Sequence, residues 1–386
     1  MNESQYAKVG VDIRKKGIEI FKSSVKSLYP NAFCVIKQDP DLPDYALVPH
    51  TDSAGSKPVQ NYVNFKETND IDAFKGIAQD VVAMNLDDII CVGAWPISFV
   101  DGIALNKSRV PKEEFLKAFN SELMELIQTL SSFGVSLPFD GGETADVPDQ
   151  ISTLDVSGFI EGRVELSKIV TGERIRTGNK IIGIRSGGRC SYESKANSGI
   201  MCNGITLARH SLLSNEYTKK YPETCGGEAR GYYGRFSVLD HVDELGMTLG
   251  EAICSPTRIF APIVFKILDG LGRSVTGLIH NTGGGQTKCL RVGRGVKYVK
   301  SQSLAPDPIF QLIKKESQES WRDMFQGYNM GVGFEVVLEP DAVEPALSII
   351  ERFGVEAKVI GEIERGPSMN QVVIESGFGK FEYEGL

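Results

Sequence analysis

From Asp70 to Ala94, Val81, Val82, Met84, Leu86, Ile89, Ile90 and Val92 ring nearly the whole circumference of a helical wheel. No polar stripe is left wide enough to meet solvent, so the pattern predicts a buried helix. After Pro111, Phe115, Phe119, Leu123, Leu126, Ile127 and Leu130 recur at helical steps until Gly134, which predicts an amphipathic helix with a glycine stop. Tyr45 to Pro49 is a short apolar run ending abruptly in His50-Thr51-Asp52-Ser53-Ala54-Gly55-Ser56-Lys57, a strand that delivers a loop. Leu154, Val156, Gly158 and Ile160 alternate with mostly polar neighbours, the period of a half-covered strand.

Charged and turn-forming residues between Arg163 and Lys180 place a boundary near residue 170. Ile181 to Ile184 starts a new strand that runs into Ser186-Gly187-Gly188, and the irregular stretch 186–235 reads as an insertion. Strands at Gly333–Leu338, Ala357–Ile363 and Gln371–Glu375, with a helix at Ala342–Phe353, give the tail a regular α+β character. A length of 386 residues fits two domains, 1–170 and 171–386.

Composition narrows the function. The 41 glycines against 17 prolines point to tight turns and loops that approach ligands, not to a linker. A net charge of -8 disfavours a nucleic-acid partner. No run approaches the roughly 18 to 20 apolar residues of a membrane span, and the opening residues lack a signal peptide, which predicts a cytoplasmic protein without a membrane partner. Seven cysteines, none in a C-x-x-C pair, are expected as reduced thiols.

Asp80, Asp87 and Asp88 lie on the otherwise apolar helix, where isolated carboxylates cost several kcal/mol unless paired, hydrogen-bonded or bound to a cation. Two readings stand: they cap loops or pair with basic residues, or they hold magnesium against nucleotide phosphates with Asp52 as a further acid. Gly141-Gly142-Glu143-Thr144-Ala145-Asp146 bends tightly before two acids and is either a plain turn or a ligand loop. Asn281-Thr282-Gly283-Gly284-Gly285-Gln286-Thr287-Lys288 offers free amides to a phosphate. Neither a Walker A loop nor a G-x-G-x-x-G turn occurs, so a nucleotide enzyme here belongs to neither common class. Ser255-Pro256-Thr257-Arg258 is a phosphate clasp or a surface turn. His280 abuts the glycine run, and Cys254 reads as a small buried thiol.

Taken in order, these segments resemble the phosphoribosylformylglycinamidine cyclo-ligase (aminoimidazole ribonucleotide synthetase) family. Tyr6 with Gly10-Val11-Asp12-Ile13 is similar to the family's Y-x-x-x-G-V-D-I opening, and Asp52 to Lys57 to its D-G-V-G-T-K loop. Asp80 to Asp88 followed by Val92-Gly93-Ala94 and Pro96 resembles D-L-V-A-M-x-x-N-D and Q-G-A-x-P. Gly141 to Ala145 repeats the family's G-G-E-T-A, Ser255 to Ile259 its T-P-T-R-I, His280 to Gly285 its glycine loop, and Asn329-Met330-Gly331-Val332-Gly333 its late strand.

The resemblance implies an α/β (α+β) enzyme of two domains. The N-terminal unit would bind ATP and metal and form a dimer barrel through its sheet, making a homodimer; the C-terminal unit would be a mixed sheet with helices. It implies ATP and Mg2+ as cofactors and formylglycinamidine ribonucleotide as the small-molecule substrate, cyclised to aminoimidazole ribonucleotide with release of ADP and phosphate. By resemblance Asp52, Asp80, Asp88 and Glu143 hold metal, and Asp12, Gly55, Asp80, Glu143 and Thr144 hold nucleotide. Asp52, Lys57 and His280 carry the chemistry, while Asn203, Arg258, Thr282, Gly283, Gly284 and Gly285 grip the substrate. The alternatives are another ATP-using member of the superfamily, such as a selenophosphate synthetase, thiamine-monophosphate kinase or hydrogenase-maturation relative, or a non-catalytic nucleotide binder.

The chain departs from the family in three places. The family's G-P-H-S-N-G histidine is missing where Met201-Cys202-Asn203-Gly204 stand, H-D-T is replaced by Phe74-Lys75-Gly76, and Asp87 stands where asparagine is usual. That last change adds a negative charge expected to alter metal affinity.

Overall fold

The computed structural model describes residues 4–12, 17, 19–22, 24–226 and 231–385. Ile13 of the opening motif and residues 227–230 of the irregular stretch lie outside them. The strands in chain order are β1 Lys37–Gln38, β2 Tyr45–Ser53, β3 Trp95–Leu105, β4 Phe139–Asp146, β5 Leu154–Glu165, β6 Lys180–Arg185, β7 His241–Val242, β8 Met247–Thr248, β9 Val275–His280, β10 Val296–Lys300, β11 Val332–Leu338, β12 Ala357–Arg365, β13 Gln371–Ser376 and β14 Gly379–Glu384.

The first five strands form one sheet in the order β1-β2-β5-β3-β4, antiparallel except for the β3/β4 pair. Burial alternates along β5, with Leu154, Val156, Gly158, Ile160, Gly162 and Val164 all facing inward. Against that face lies the helix Gly76–Ile90, in which every residue except Gly76 and Gln79 is buried. It also touches β9 and the helices Lys112–Ser132 and Ala261–Leu271. On the outward face Leu47 and Pro49 are partly buried and Phe159 is exposed.

The second sheet runs β14-β13-β10-β12-β6-β11-β9, mixed because β10 and β13 pair in parallel. β9 and β11 are buried along their whole length. One apolar cluster joins both sheets, uniting Val48, Val82 and Ile160 with Phe260, Leu278 and Phe334.

The helix expected from Asp70 starts later. Asp70 accepts from the Asp72 amide and closes a separate 3-10 turn, Ile71–Phe74, before the α-helix begins at Gly76. A side chain at Gly76 would press on the Pro256 ring at 3.0 Å. The irregular stretch folds partly into the helices Ile205–Leu212 and Glu216–Lys220, anchored by the buried Tyr217, Tyr221 and Tyr232.

Gly142 allows β4 to approach β3: a Cβ there would overlap the Asp101 side chain, with Oδ1 at 2.1 Å. Asp101 is half-buried, and burial alone pushes its carboxyl up to about 6. Because its folded value lies above the unfolded one, Asp101 contributes stability below about pH 4 that is lost as pH rises through 6. Asp101→Asn should therefore abolish a decline in unfolding free energy between pH 4 and pH 7, on the order of 1 kcal/mol after solvent screening. Urea melts across that range test it, and an unchanged pH profile in the variant would contradict it.

Candidate functional site

The helix buries four polar side chains, Asp80, Asn85, Asp87 and Asp88, and each meets different partners. Asp80 Oδ1 accepts from Lys57 Nζ at 2.8 Å, from the Thr257 amide at 2.8 Å and from Thr257 Oγ1 at 2.7 Å. Lys57 is fully buried and also donates to the Ser255 carbonyl. Burial works against its ammonium, but the Asp80 carboxylate outweighs burial and holds Lys57 above its ordinary value. Asn85 clasps the end of β2, accepting from the Asp52 amide at 3.0 Å and donating to the Asp52 carbonyl at 3.1 Å.

Asp87 accepts from the amides of Phe260 and Ala261 at 2.8 and 2.9 Å, at the N-terminus of the helix Ala261–Leu271. That end of a helix carries unsatisfied N–H groups and a partial positive charge, so it suits a carboxylate. The charge expected to alter metal affinity is a helix anchor.

Asp88 is the exception. His280 Nδ1 sits 2.8 Å from its Oδ1, and His50 Nε2 sits 3.4 Å from its Oδ2. Burial would raise this carboxyl, yet Lys288, His280 and His50 together hold it down at about 2. Asp52, close by, is pushed up by burial and then by the Asp88 charge. His280 is fully buried, which depresses its imidazolium against the pull of Asp88. His50, Asp52 and Asp88 offer ligand atoms that all lie within 4.8 Å of one another, the one such metal-capable group among the described residues. The structure thus brings Asp52, Asp88 and His280 together and adds His50, which sequence reading passed over as part of a loop. Asp80 and Glu143 are not in this group; Glu143 is exposed on β4 with the half-buried Thr144 beside it.

A cleft of about 200 Å³ opens beside the loop that follows Asp52. Asp12, Ser56, Asn203, Gly204, Gly283 and Gly284 line it, so four distant sequence segments converge there. Asn203 Nδ2 is buried at this wall without a hydrogen-bond partner among the described residues. Gly55 has φ +61° and passes the Cys202 carbonyl, where a Cβ would stand 3.2 Å from the oxygen. Gly285, at φ +49°, admits no side chain because the Tyr328 carbonyl would lie 2.3 Å from its Cβ. Thr282 is buried, and Lys288 Nζ reaches its hydroxyl at 3.4 Å.

One expected ligand group turns inward. Arg258 grips Glu193 through Nε at 2.8 Å and Nη2 at 2.7 Å, while Nη1 donates to the carbonyls of Arg185 and Gly187. Cys202 occupies the region of the missing histidine and contacts Asp80 Oδ1 and Thr257 Oγ1, each at 3.3 Å. Burial pushes its thiol far above the ordinary range, which makes it a packing group and not a nucleophile.

Residues 31–164 match the AIR synthase related protein N-terminal domain, and residues 303–374 match the C-terminal domain of the same description. The chain is 31% identical over 396 residues to a phosphoribosylformylglycinamidine cyclo-ligase of Alkaliphilus metalliredigens, covering 97% of this chain and 99% of the relative. It is 33% identical over 342 residues to the protein of that name from Pyrococcus furiosus, covering 88% and 85%. Among solved structures it is similar in fold to a HypE–HypF complex, with TM-score 0.55, 16% identity and coverage of 95% and 97%. It is likewise similar to AaThiL complexed with AMPPCP and TMP, with TM-score 0.54, 11% identity and 95% of each chain covered.

The buried Lys57–Asp80 pair makes a stability prediction. Lys57→Met should cost about 3 to 5 kcal/mol because it strands a buried carboxylate. The double variant Lys57→Met with Asp80→Asn should be less destabilised than the sum of the single changes by at least about 1 kcal/mol. Urea unfolding of the four proteins measures the coupling, and strict additivity would refute the pairing.

Proposed function

This chain belongs to the phosphoribosylformylglycinamidine cyclo-ligase family, and we propose from that premise that it cyclises formylglycinamidine ribonucleotide to aminoimidazole ribonucleotide in purine biosynthesis, using ATP. The observation that carries the reading is the group of Asp52 and Asp88 beside a cleft walled by Asn203 and the Gly283-Gly284 loop.

The reaction sets two tasks. The formyl oxygen is a poor leaving group until it attacks the γ-phosphorus of ATP and displaces ADP. The internal amidine nitrogen then attacks the same carbon, the C–O bond breaks, phosphate leaves, and the nitrogen gives up a proton as the imidazole closes. The chain must hold a polyanion, align it with the formyl oxygen and exclude water. Asp52 and Asp88 fit a divalent ion: one carboxyl is kept ionised, and the other is raised by burial and then by its neighbour's charge. Magnesium held there would offset charge on the transferred phosphoryl group.

His280 locks Asp88 in orientation through Nδ1. Lys288, rather than the expected Lys57, is the ammonium we place on the phosphates; Lys57 sets the loop by anchoring to Asp80 and Ser255. The cleft amides of Gly283 and Gly284, with Asn203 Nδ2, suit the ribose 5-phosphate, and Asp12 lies on the same wall. Gly55 permits the close turn of the loop, and Glu143 and Thr144 on β4 are taken as the outer nucleotide contacts. We place the nucleotide and metal unit in residues 1–170 and the substrate loops in 171–386. The outward face of the first sheet, bearing Leu47, Pro49 and Phe159, is where a second copy would pack. No helix of the described residues is long and apolar enough to cross a membrane.

Purified protein supplied with formylglycinamidine ribonucleotide, ATP and a divalent ion should yield aminoimidazole ribonucleotide and ADP in equal amounts. Asp88→Asn should lower kcat by about a hundredfold or more. Failure of the wild-type protein to form the product with any divalent ion would overturn the reading.

A further inference from the structure

Two members of the metal-capable group are carboxylates, but the third is a nitrogen. His50 precedes Asp52 by two positions on β2, so both side chains project from one face of the strand. Their partners across the ladder, Ile160 and Gly158, are buried, which identifies that face as the one turned toward the helix bearing Asp88.

His50 Nε2 is shielded from solvent and has no hydrogen-bond partner among the described residues, though Asp88 Oδ2 stands 3.4 Å away. The other oxygen, Asp88 Oδ1, is fixed by the buried His280, so Oδ2 is the one left toward His50 and Asp52. No lysine or arginine nitrogen of the described residues comes within 4.0 Å of either Asp52 or Asp88. An octahedral ion with donors at about 2.1 Å needs neighbouring donors about 3 Å and opposite ones about 4.2 Å apart. A group already confined within 4.8 Å meets that demand with small side-chain rotations. The side chain of His50 is 21% exposed and Asp52 is half-buried, so the group lies at the margin of the buried region.

We propose that His50 Nε2 is an inner ligand of the divalent-cation site together with Asp52 and Asp88, and that the site therefore prefers Mn2+ or a later first-row ion to Mg2+. Magnesium is a hard ion that favours all-oxygen shells and sheds its waters reluctantly, whereas an imidazole nitrogen adds affinity along the first-row series. Held on Asp88 Oδ1, His280 is an outer partner that orients a ligand, as metal sites commonly require. The proposal rests on the reading that this group is the metal site of the nucleotide reaction.

The test uses the full chain with Mn2+ alone, without nucleotide or substrate, followed by pulsed electron paramagnetic resonance and by titration against Mg2+. Wild-type protein should show hyperfine coupling to a directly bound nitrogen and bind Mn2+ at least about tenfold more tightly than Mg2+. His50→Gln should lose the nitrogen coupling and weaken Mn2+ about tenfold, while Mg2+ affinity stays within about threefold. Bound Mn2+ without nitrogen coupling in the wild type, coupling that survives in His50→Gln, or no Mn2+ binding would each overturn the proposal. Product formation separates the two readings. Aminoimidazole ribonucleotide made with Mg2+ in a protein lacking nitrogen coupling sinks the histidine ligand alone, and coupling without product under any ion sinks the assigned reaction alone.

Discussion

A helix enclosed on every side cannot leave a carboxylate unattended, and the segment Gly76–Ile90 carries three of them. An isolated charge there would cost several kcal/mol, so each acid recruits a partner from a different part of the chain. Asp80 draws Lys57 and the Thr257 turn together, Asp87 receives the start of the helix Ala261–Leu271, and Asp88 meets His280 at the end of β9. Asn85 adds the end of β2. Neutralising this one helix therefore stitches the first sheet to the second.

The same constraint sorts structure from chemistry. Asp80 and Asp87 are used inside the protein, Asp80 on an ammonium and Asp87, whose carboxyl burial pushes well up, on helix amides. Asp88 alone meets two imidazoles and a more distant Lys288, and it stands beside a second carboxylate. Two adjacent carboxyls with no lysine or arginine in contact are the arrangement to which the proposed divalent ion is assigned. The loop from Asp52 to Lys57 runs from that group to Ser56 on the cleft wall, which is why we propose metal and substrate phosphate at its two ends.

Much of the fold was legible. The strict alternation of β5, the glycine stop after the helix ending at Ser132 and the uniformly apolar wheel of the central helix each survive in the structure, because in each the periodicity follows directly from burial. β3 was not legible: Asp101 and Gly102 interrupt its alternation, and its register shifts between Pro96 and Ser98. The helix Lys57–Thr68 was hidden by its polar composition, since much of what it buries is lysine, glutamine and asparagine. At the site, spacing revealed the acids but not their partners. Helical geometry places Asp80 and Asp87 nearly on one face, yet whether an acid meets a cation or a helix terminus depends on residues 20 to almost 200 positions away. His50 could have been found from its two-residue offset to Asp52 on a strand, had β2 been extended past Pro49. Arg258 was read from its chemistry as a phosphate clasp, but Glu193, in the irregular stretch, claims both of its forks.

The account assigns the helix acids opposite duties, and calorimetric titration of a divalent metal–ATP complex into Asp80→Asn, Asp87→Asn and Asp88→Asn compares them directly. It predicts that the folded Asp80 and Asp87 variants bind the complex within about threefold of the wild type, while Asp88→Asn loses at least about tenfold in affinity. Undiminished binding by Asp88→Asn, or its loss in a fully folded Asp80→Asn, would contradict it.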